Sequence, residues 1–448
     1  MNNNRIILIF FLLSFFLTNC SFDNKTGLWK GLEDERRRAL ELERLQNREL
    51  VKIYSSEAKT LEEIKATKSI KLSSPKTNSK WLMPDLNEQN FKGNLFLSGI
   101  DNIFLKKNIG KDKFKISKVM VSPIITENAI ILSDDVGTIY NISKNGKINW
   151  KKNIYKKLYK KIYKNLSFIS YNGIIYVSDN IGFVYAIRSD NGEIVWIKNF
   201  EIPFKSKIKI YDKKIFLINQ DNRILCLETA DGTKIWDIRS ISSFIKTQNF
   251  LPVSISKDGF LVTLVSSGDL VKSNINNGKI YWSLNAIASS FAHDTDFFNS
   301  SNIVLVEDEV IFLASGSIYS FNFSNGYLNW KQDVESNNTP IIDGQYIFLV
   351  SNDGFFVCLE RKNGNIIWST NILKILKEKK RETKISGFVM GSGKIYATTL
   401  NGFLITSSAT SGDVESYKKI GDTITAPPII SEGSLYLLTE NSKIYGFN

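Results

Sequence analysis

Histidine and cysteine supply most catalytic and metal centres, and this chain of 448 residues holds one histidine, His293, and three cysteines, Cys20, Cys226 and Cys358. A Ser-His-Asp triad or a His-ligated zinc site needs imidazole in a fixed constellation, which a solitary histidine does not provide. Three cysteines cannot make a disulfide framework at this size. Cys226 and Cys358 each lie six residues before a glycine, Gly232 and Gly364, as Ala186, Ser320 and Thr406 lie before Gly192, Gly326 and Gly412. They read as inert small residues at one repeated position, far apart and unpaired.

Cys20 stands in a different setting. Arg5 is followed by an apolar run from Ile6 to Leu17, broken only by Ser14, and then by Thr18-Asn19-Cys20. That is the pattern of an export signal, and it is shorter than the roughly 20 residues of a membrane-spanning helix. Leu17-Thr18-Asn19-Cys20 resembles a bacterial lipobox, although Asn19 stands where Gly, Ala or Ser is usual; the alternative is an ordinary signal with a chance cysteine. The resemblance implies cleavage after residue 19, diacylation of Cys20 and, with Ser21 next, delivery to the outer membrane, facing the periplasm. Two or three acyl chains would anchor the chain stably, at about 0.8 kcal/mol per buried methylene.

A second chemistry-bearing stretch is cationic. Lys plus Arg number 58 against 45 Asp plus Glu, a net charge of +13, and residues 151–164, KKNIYKKLYKKIYK, contain seven lysines and no acid. On a helix Tyr155, Tyr159 and Tyr163 would form one stripe with Leu158 and Ile162, flanked by Lys156, Lys157, Lys160 and Lys161, the pattern of a short membrane-surface helix. The alternative is a tyrosine-anchored connection with solvated lysines. Nucleic acid is not a sensible target for an exported chain.

The elements that carry these residues come from a repeat. Gly146/Trp150, Gly192/Trp196, Gly232/Trp236, Gly278/Trp282, Gly326/Trp330 and Gly364/Trp368 share one spacing; Gly412 continues the series with Ser416 in the tryptophan slot. Successive glycines are 46, 40, 46, 48, 38 and 48 residues apart, so six of the eight tryptophans occupy one position of one unit. Each unit reads as four short strands joined by Asn-Gly or Asp-Gly turns. A four-stranded sheet cannot bury both faces alone, so the copies stack radially and close. Seven units end at these glycines. An eighth, from APPIISEGSLYLL onwards, lacks its last strand, and residues 93–110 supply a strand without a sheet. Joined, they give eight blades of roughly 45 residues and leave no open edge. The fold class is therefore all-β: an eight-bladed β-propeller of four-stranded antiparallel blades. A hydrophobic content of 43% with 12% aromatics suits so large a core and excludes wholesale disorder. The organisation expected is a signal over 1–19, an acylated helical stalk and linker over 20–80 and the propeller over 81–448. The stalk rests on the charged, helix-forming segment from Gly31 to about Lys68, the linker on the polar, proline-bearing residues 73–79.

A lipobox plus units of the form Gly-x-x-Tyr-x-small…Asp/Asn-Gly-x-x-x-Trp resembles the BamB family, propeller lipoproteins of the outer-membrane β-barrel assembly machinery within the PQQ-like repeat superfamily. The likeness covers roughly residues 90–448 and does not extend to the helical segment. It implies a scaffold without catalytic residues, cofactor or metal, which binds a POTRA domain of the BamA subunit and assists unfolded β-barrel clients. In the family that contact uses loops between the third and fifth blades. Here these are the stretches after Trp236, with Phe244, Ile245 and Lys246, and after Trp282, with Asp294 and Asp296. An apolar anchor beside a charge of each sign suits such an interface. The competing class is a quinoprotein dehydrogenase, also eight-bladed. It needs PQQ, Ca²⁺ and a catalytic Asp and often carries an adjacent-cysteine pair, which this chain lacks.

Overall fold

The computed structural model describes residues 61–66, 69–111, 113–114, 122–159, 161–239, 250–286, 299–377 and 383–448. Their strands form eight four-stranded antiparallel sheets, seven of them running outward from the axis in chain order. Blade two is representative: Leu166–Tyr171 innermost, then Ile174–Asp179, Phe183–Arg188 and Ile194–Asn199. Its middle strands are covered on both faces by neighbouring blades, so IIYVSD and FVYAIR are buried almost continuously rather than alternately. Blade eight combines Ile429–Ser431, Ser434–Leu438 and Lys443–Phe447 with the distant strand Ile103–Asn108, in the register Leu105↔Gly446 and Lys107↔Ile444. The ring closes as the spare ends require.

The Gly-to-Trp spacing has a direct cause. Each tryptophan lies on the turn glycine of the next blade: a Cβ at Gly192, Gly232, Gly278, Gly326, Gly364 or Gly412 would stand 2.4 to 3.1 Å from the indole of the preceding repeat. The glycine is doubly required, because φ there is +72° to +78°. Five indole N–H groups then donate to a carbonyl in that same turn: Trp150 to Ser189, Trp196 to Thr229, Trp236 to Ile275, Trp282 to Phe323 and Trp330 to Arg361, at 2.8–3.1 Å. Opposite the tryptophans, on the third strands, stand Asn141, Ala186, Cys226, Lys272, Ser320 and Cys358. Both cysteines are free and buried.

Over residues 61–80 the described part of the expected helical stalk and linker packs against the propeller. Residues 61–66 are not helical; Ile64 pairs with Ser369 on the outer strand of blade six through two backbone hydrogen bonds of 2.9 Å. Ile70 is buried between blades six and seven, and the Ser73 amide donates to Asp343 at 2.8 Å. Pro75 and its polar neighbours thus line a docked, extended segment. Residues 1–60, including Cys20 and most of the helical reading, lie outside the described residues.

From there the chain encircles the axis. The Asn78 amide donates to Ile430 O in blade eight, and Trp81 bridges Ile125 in blade one. Ser170 in blade two donates to Leu82 O, Ile255 in blade four to Glu88 O, and Leu305 in blade five to Gln89 O. Leu95 meets blade seven and Ser98 blade eight before the chain leaves as blade eight's outer strand. This strap gives the innermost strands hydrogen-bond partners where the axis would otherwise leave their polar groups to solvent.

Candidate functional site

The antiparallel meander places inter-blade connections and second-to-third-strand turns on one face of the ring. On that face a cavity of about 440 Å³ opens along the axis. Its walls mix polar side chains, Asn165, Asn180, Asn302 and Asn352 among them, with apolar ones such as Phe204 and Phe250, and its floor is the strap at Trp81, Pro84, Asp85 and Lys92. The axis is a blind funnel.

The floor is locked by charge. Asp85 accepts from Lys92 Nζ at 2.9 Å, Lys207 Nζ at 2.8 Å and Asn302 Nδ2 at 2.9 Å. Both Asp85 and Lys92 side chains are about 5% exposed or less. Burial works against the charged carboxyl, but Lys207, Lys92 and Lys209 outweigh it and hold Asp85 far below the usual carboxylate range. Lys209 is fully enclosed and donates to the carbonyls of Pro84 at 2.8 Å and Asn87 at 2.6 Å; burial pulls it down to about 7, against the opposing pull of Asp85. The backbone bends sharply to reach these partners: Asp85 and Leu86 have φ of +59° and +78°. Such left-handed non-glycine residues cost about 1–2 kcal/mol each and persist only where contacts compel them. Asn90 completes the lock by donating to Val253 O and Ile303 O, which joins blades four and five.

This cluster was not foreseen. One signal was available: Lys209 stands in the column that Ile124, Ile169, Val304, Ile341, Val389 and Ile429 fill in other blades, and a lysine in an apolar column demands a buried partner.

The other carboxylate on the funnel wall is Asp179. Its Oδ1 accepts the amides of Ile181, Gly182 and Phe183 at 2.8–2.9 Å, and its Oδ2 accepts Tyr155 OH at 2.6 Å. Burial raises its pKa, against these donors. Both carboxylates are thus already engaged by cationic or hydrogen-bond donors of the chain itself. Among the described residues no three of His, Cys, Asp and Glu are grouped as a metal site.

The partner-loop residues Phe244, Ile245, Lys246, Asp294 and Asp296, and His293 with them, lie outside the described residues. Phe250 and Asn299, which end those two connections, are on the funnel wall. The cationic segment is described apart from Lys160, and the helical reading of it does not hold. Residues 151–153 finish blade one's outer strand, and only Lys157–Tyr159 is helical, as a single 3₁₀ turn. Tyr155 turns inward to Asp179 instead of sharing an outer stripe.

Fold and funnel define an eight-bladed propeller whose axis is floored by its own chain. Residues 135–370 match the family model described as outer membrane protein assembly factor BamB. The chain belongs to that family. BamB of Yersinia pestis is 19% identical over 277 residues, 61% of this chain and 68% of that one, and BamB of Salmonella typhimurium 19% over 334 residues, 63% and 83%. Among solved structures, BamB from Moraxella catarrhalis superposes with a TM-score of 0.62 at 12% identity, covering 77% of this chain and 99% of that one. The quinohemoprotein alcohol dehydrogenase of Comamonas testosteroni also reaches 0.62, at 9% identity and coverage of 82% and 80%. The fold is thus shared by an outer membrane assembly factor and a dehydrogenase.

Proposed function

We propose that this chain is a non-enzymatic scaffold of the outer-membrane β-barrel assembly complex, anchored by acylated Cys20 and facing the periplasm. It binds a POTRA domain of the BamA subunit through the connections carrying Phe244, Ile245, Lys246, Asp294 and Asp296, and so assists insertion of β-barrel clients. Family membership across blades one to six supports this reading. The observation that carries it against the dehydrogenase is the funnel, whose floor is the chain's own strap and whose two carboxylates are already committed. Phe250 and Asn299, the first described residues after the two connections, both line the funnel, which supports the reading.

Capture of BamA-type POTRA domains by the mature protein tests the reading. The unmutated protein binds, while Lys246→Glu and Asp294→Lys each weaken capture by roughly tenfold or more, the range for truncating a charge within an interface. Failure of the unmutated protein to bind overturns it. Dye reduction after incubation with PQQ and Ca²⁺ would restore the enzyme.

A further inference from the structure

The described residues of the connection between blades one and two form an exposed tip held by several contacts. Tyr155 OH donates to Asp179, and the Tyr155 ring fills the space above Gly137, where a Cβ would stand 2.2 Å from it. Tyr159 packs edge-on to Phe183 at 5.5 Å. Lys164 is buried and its ammonium group turns back to donate to the carbonyls of Tyr159 and Ile162. The Asn180 amide donates to Tyr163 O at 3.0 Å. These contacts leave the two apolar side chains between the anchors outside: Leu158 is 82% exposed and Ile162 45%. Lys156, Lys157 and Lys161 are exposed around them.

Two exposed apolar side chains lie together here, Leu158 and Ile162, with exposed lysines around them and no carboxylate in residues 151–164. We propose that this tip docks on an anionic lipid surface: Leu158 and Ile162 enter the interfacial layer, and Lys156, Lys157 and Lys161 meet lipid phosphates. Charge complementarity and apolar insertion act together, as at interfacial membrane segments, without a helix. The tip lies on the face that carries the funnel mouth, so docking would hold that face towards the bilayer.

Flotation of the mature chain bearing Cys20→Ser, which removes the acyl anchor, tests the proposal with phosphatidylethanolamine vesicles containing or lacking about one quarter phosphatidylglycerol. Binding is expected only to the anionic vesicles, and should fall roughly tenfold or more for Lys156→Glu/Lys157→Glu/Lys161→Glu and several-fold for Leu158→Asn. Leu158→Cys carrying an environment-sensitive dye should shift to the blue on binding, since Cys226 and Cys358 are buried and leave the label specific. Matching thermal melts verify that the variants fold. Binding that ignores the charge reversals, a dye that stays in water while the protein floats, or no flotation at all overturns the proposal. A tip whose variants lose only POTRA capture belongs to a protein partner, which also overturns it.

Discussion

Replacing Asp85 by Asn should release the strap while the blades stay folded. The substitution keeps shape and removes the charge that faces Lys92, Lys207 and Lys209. Lys92 is 4% exposed at its side chain and cannot turn to water, so the variant retains an uncompensated buried ammonium. Removing one member of a buried pair typically costs about 3–5 kcal/mol. At about 1.4 kcal/mol per tenfold, that is roughly two to three and a half decades in the opening equilibrium. The amides of Ser170, Ile255 and Leu305 donate to strap carbonyls, so their hydrogen exchange reads the opening directly. Exchange there should accelerate by that factor, while amides in middle strands such as Ile174–Asp179 keep their protection. Added salt should change little, because the charges are buried. Lys92→Met in the Asp85→Asn background should restore part of the loss. An acceleration below about tenfold, or no recovery with Lys92→Met, would refute the idea that the charge cluster holds the strap.

Lys209 gives a pH dependence of definite sign. Its pKa is lowered from an ordinary 10.5 to about 7, so between those values the unfolded chain binds more protons and stability rises with pH; chemical unfolding across that window should show the slope, and Lys209→Met should flatten it. Gly364→Ala would place a Cβ 2.4 Å from the Trp330 ring at a φ of +74°, with an expected cost of about 1–3 kcal/mol in thermal unfolding. In combination with Trp330→Ala the two costs should be less than additive, because the smaller residue vacates the space. Burial pushes the Cys226 thiol up to about 12, so thiol reagents should leave it unmodified until denaturant opens the blades.

The blades were legible because their signals are local and repeated: a turn glycine, in six units a tryptophan four residues on, and in five a small residue six before. The closing strand was legible by subtraction, since the last unit lacked one. The strap was not, because its long-range bonds go largely through backbone groups, such as the carbonyls of Leu82, Glu88 and Gln89, which carry no side-chain signature. The cationic segment misled for a physical reason. Tyrosines four apart imitate a helical stripe, but Asn153 still belongs to an outer strand and Tyr155 is drawn inward by Asp179. Of the candidate site, the partner-loop residues lie outside the described residues, and the funnel floor carries no side-chain pattern that the repeat reveals.

The two blades without tryptophan show that the repeat is read across interfaces rather than within blades. Where Trp packs and donates, the receiving turn spans ten positions between the small residue and the next tryptophan slot, as from Cys226 to Trp236, and its glycine amide bonds four residues back, as Gly232 does to Glu228. Blade one's turn is one residue shorter, from Asn141 to Trp150, and Gly146 bonds three back, to Ser143. The strand that meets it, in blade eight, carries Leu105 in the tryptophan slot; a Cβ on Gly146 would stand 2.8 Å from that leucine. Blade seven carries Ser416 opposite Thr406, and the blade it faces takes its outer strand from Ile103–Asn108, so no turn joins its third strand to its fourth. Tryptophan is therefore absent at both junctions where no ten-position turn receives it. The exceptions mark the seam at which the N-terminal strand completes the ring, so the strand, the strap that leads to it and the loss of two tryptophans are one structural solution.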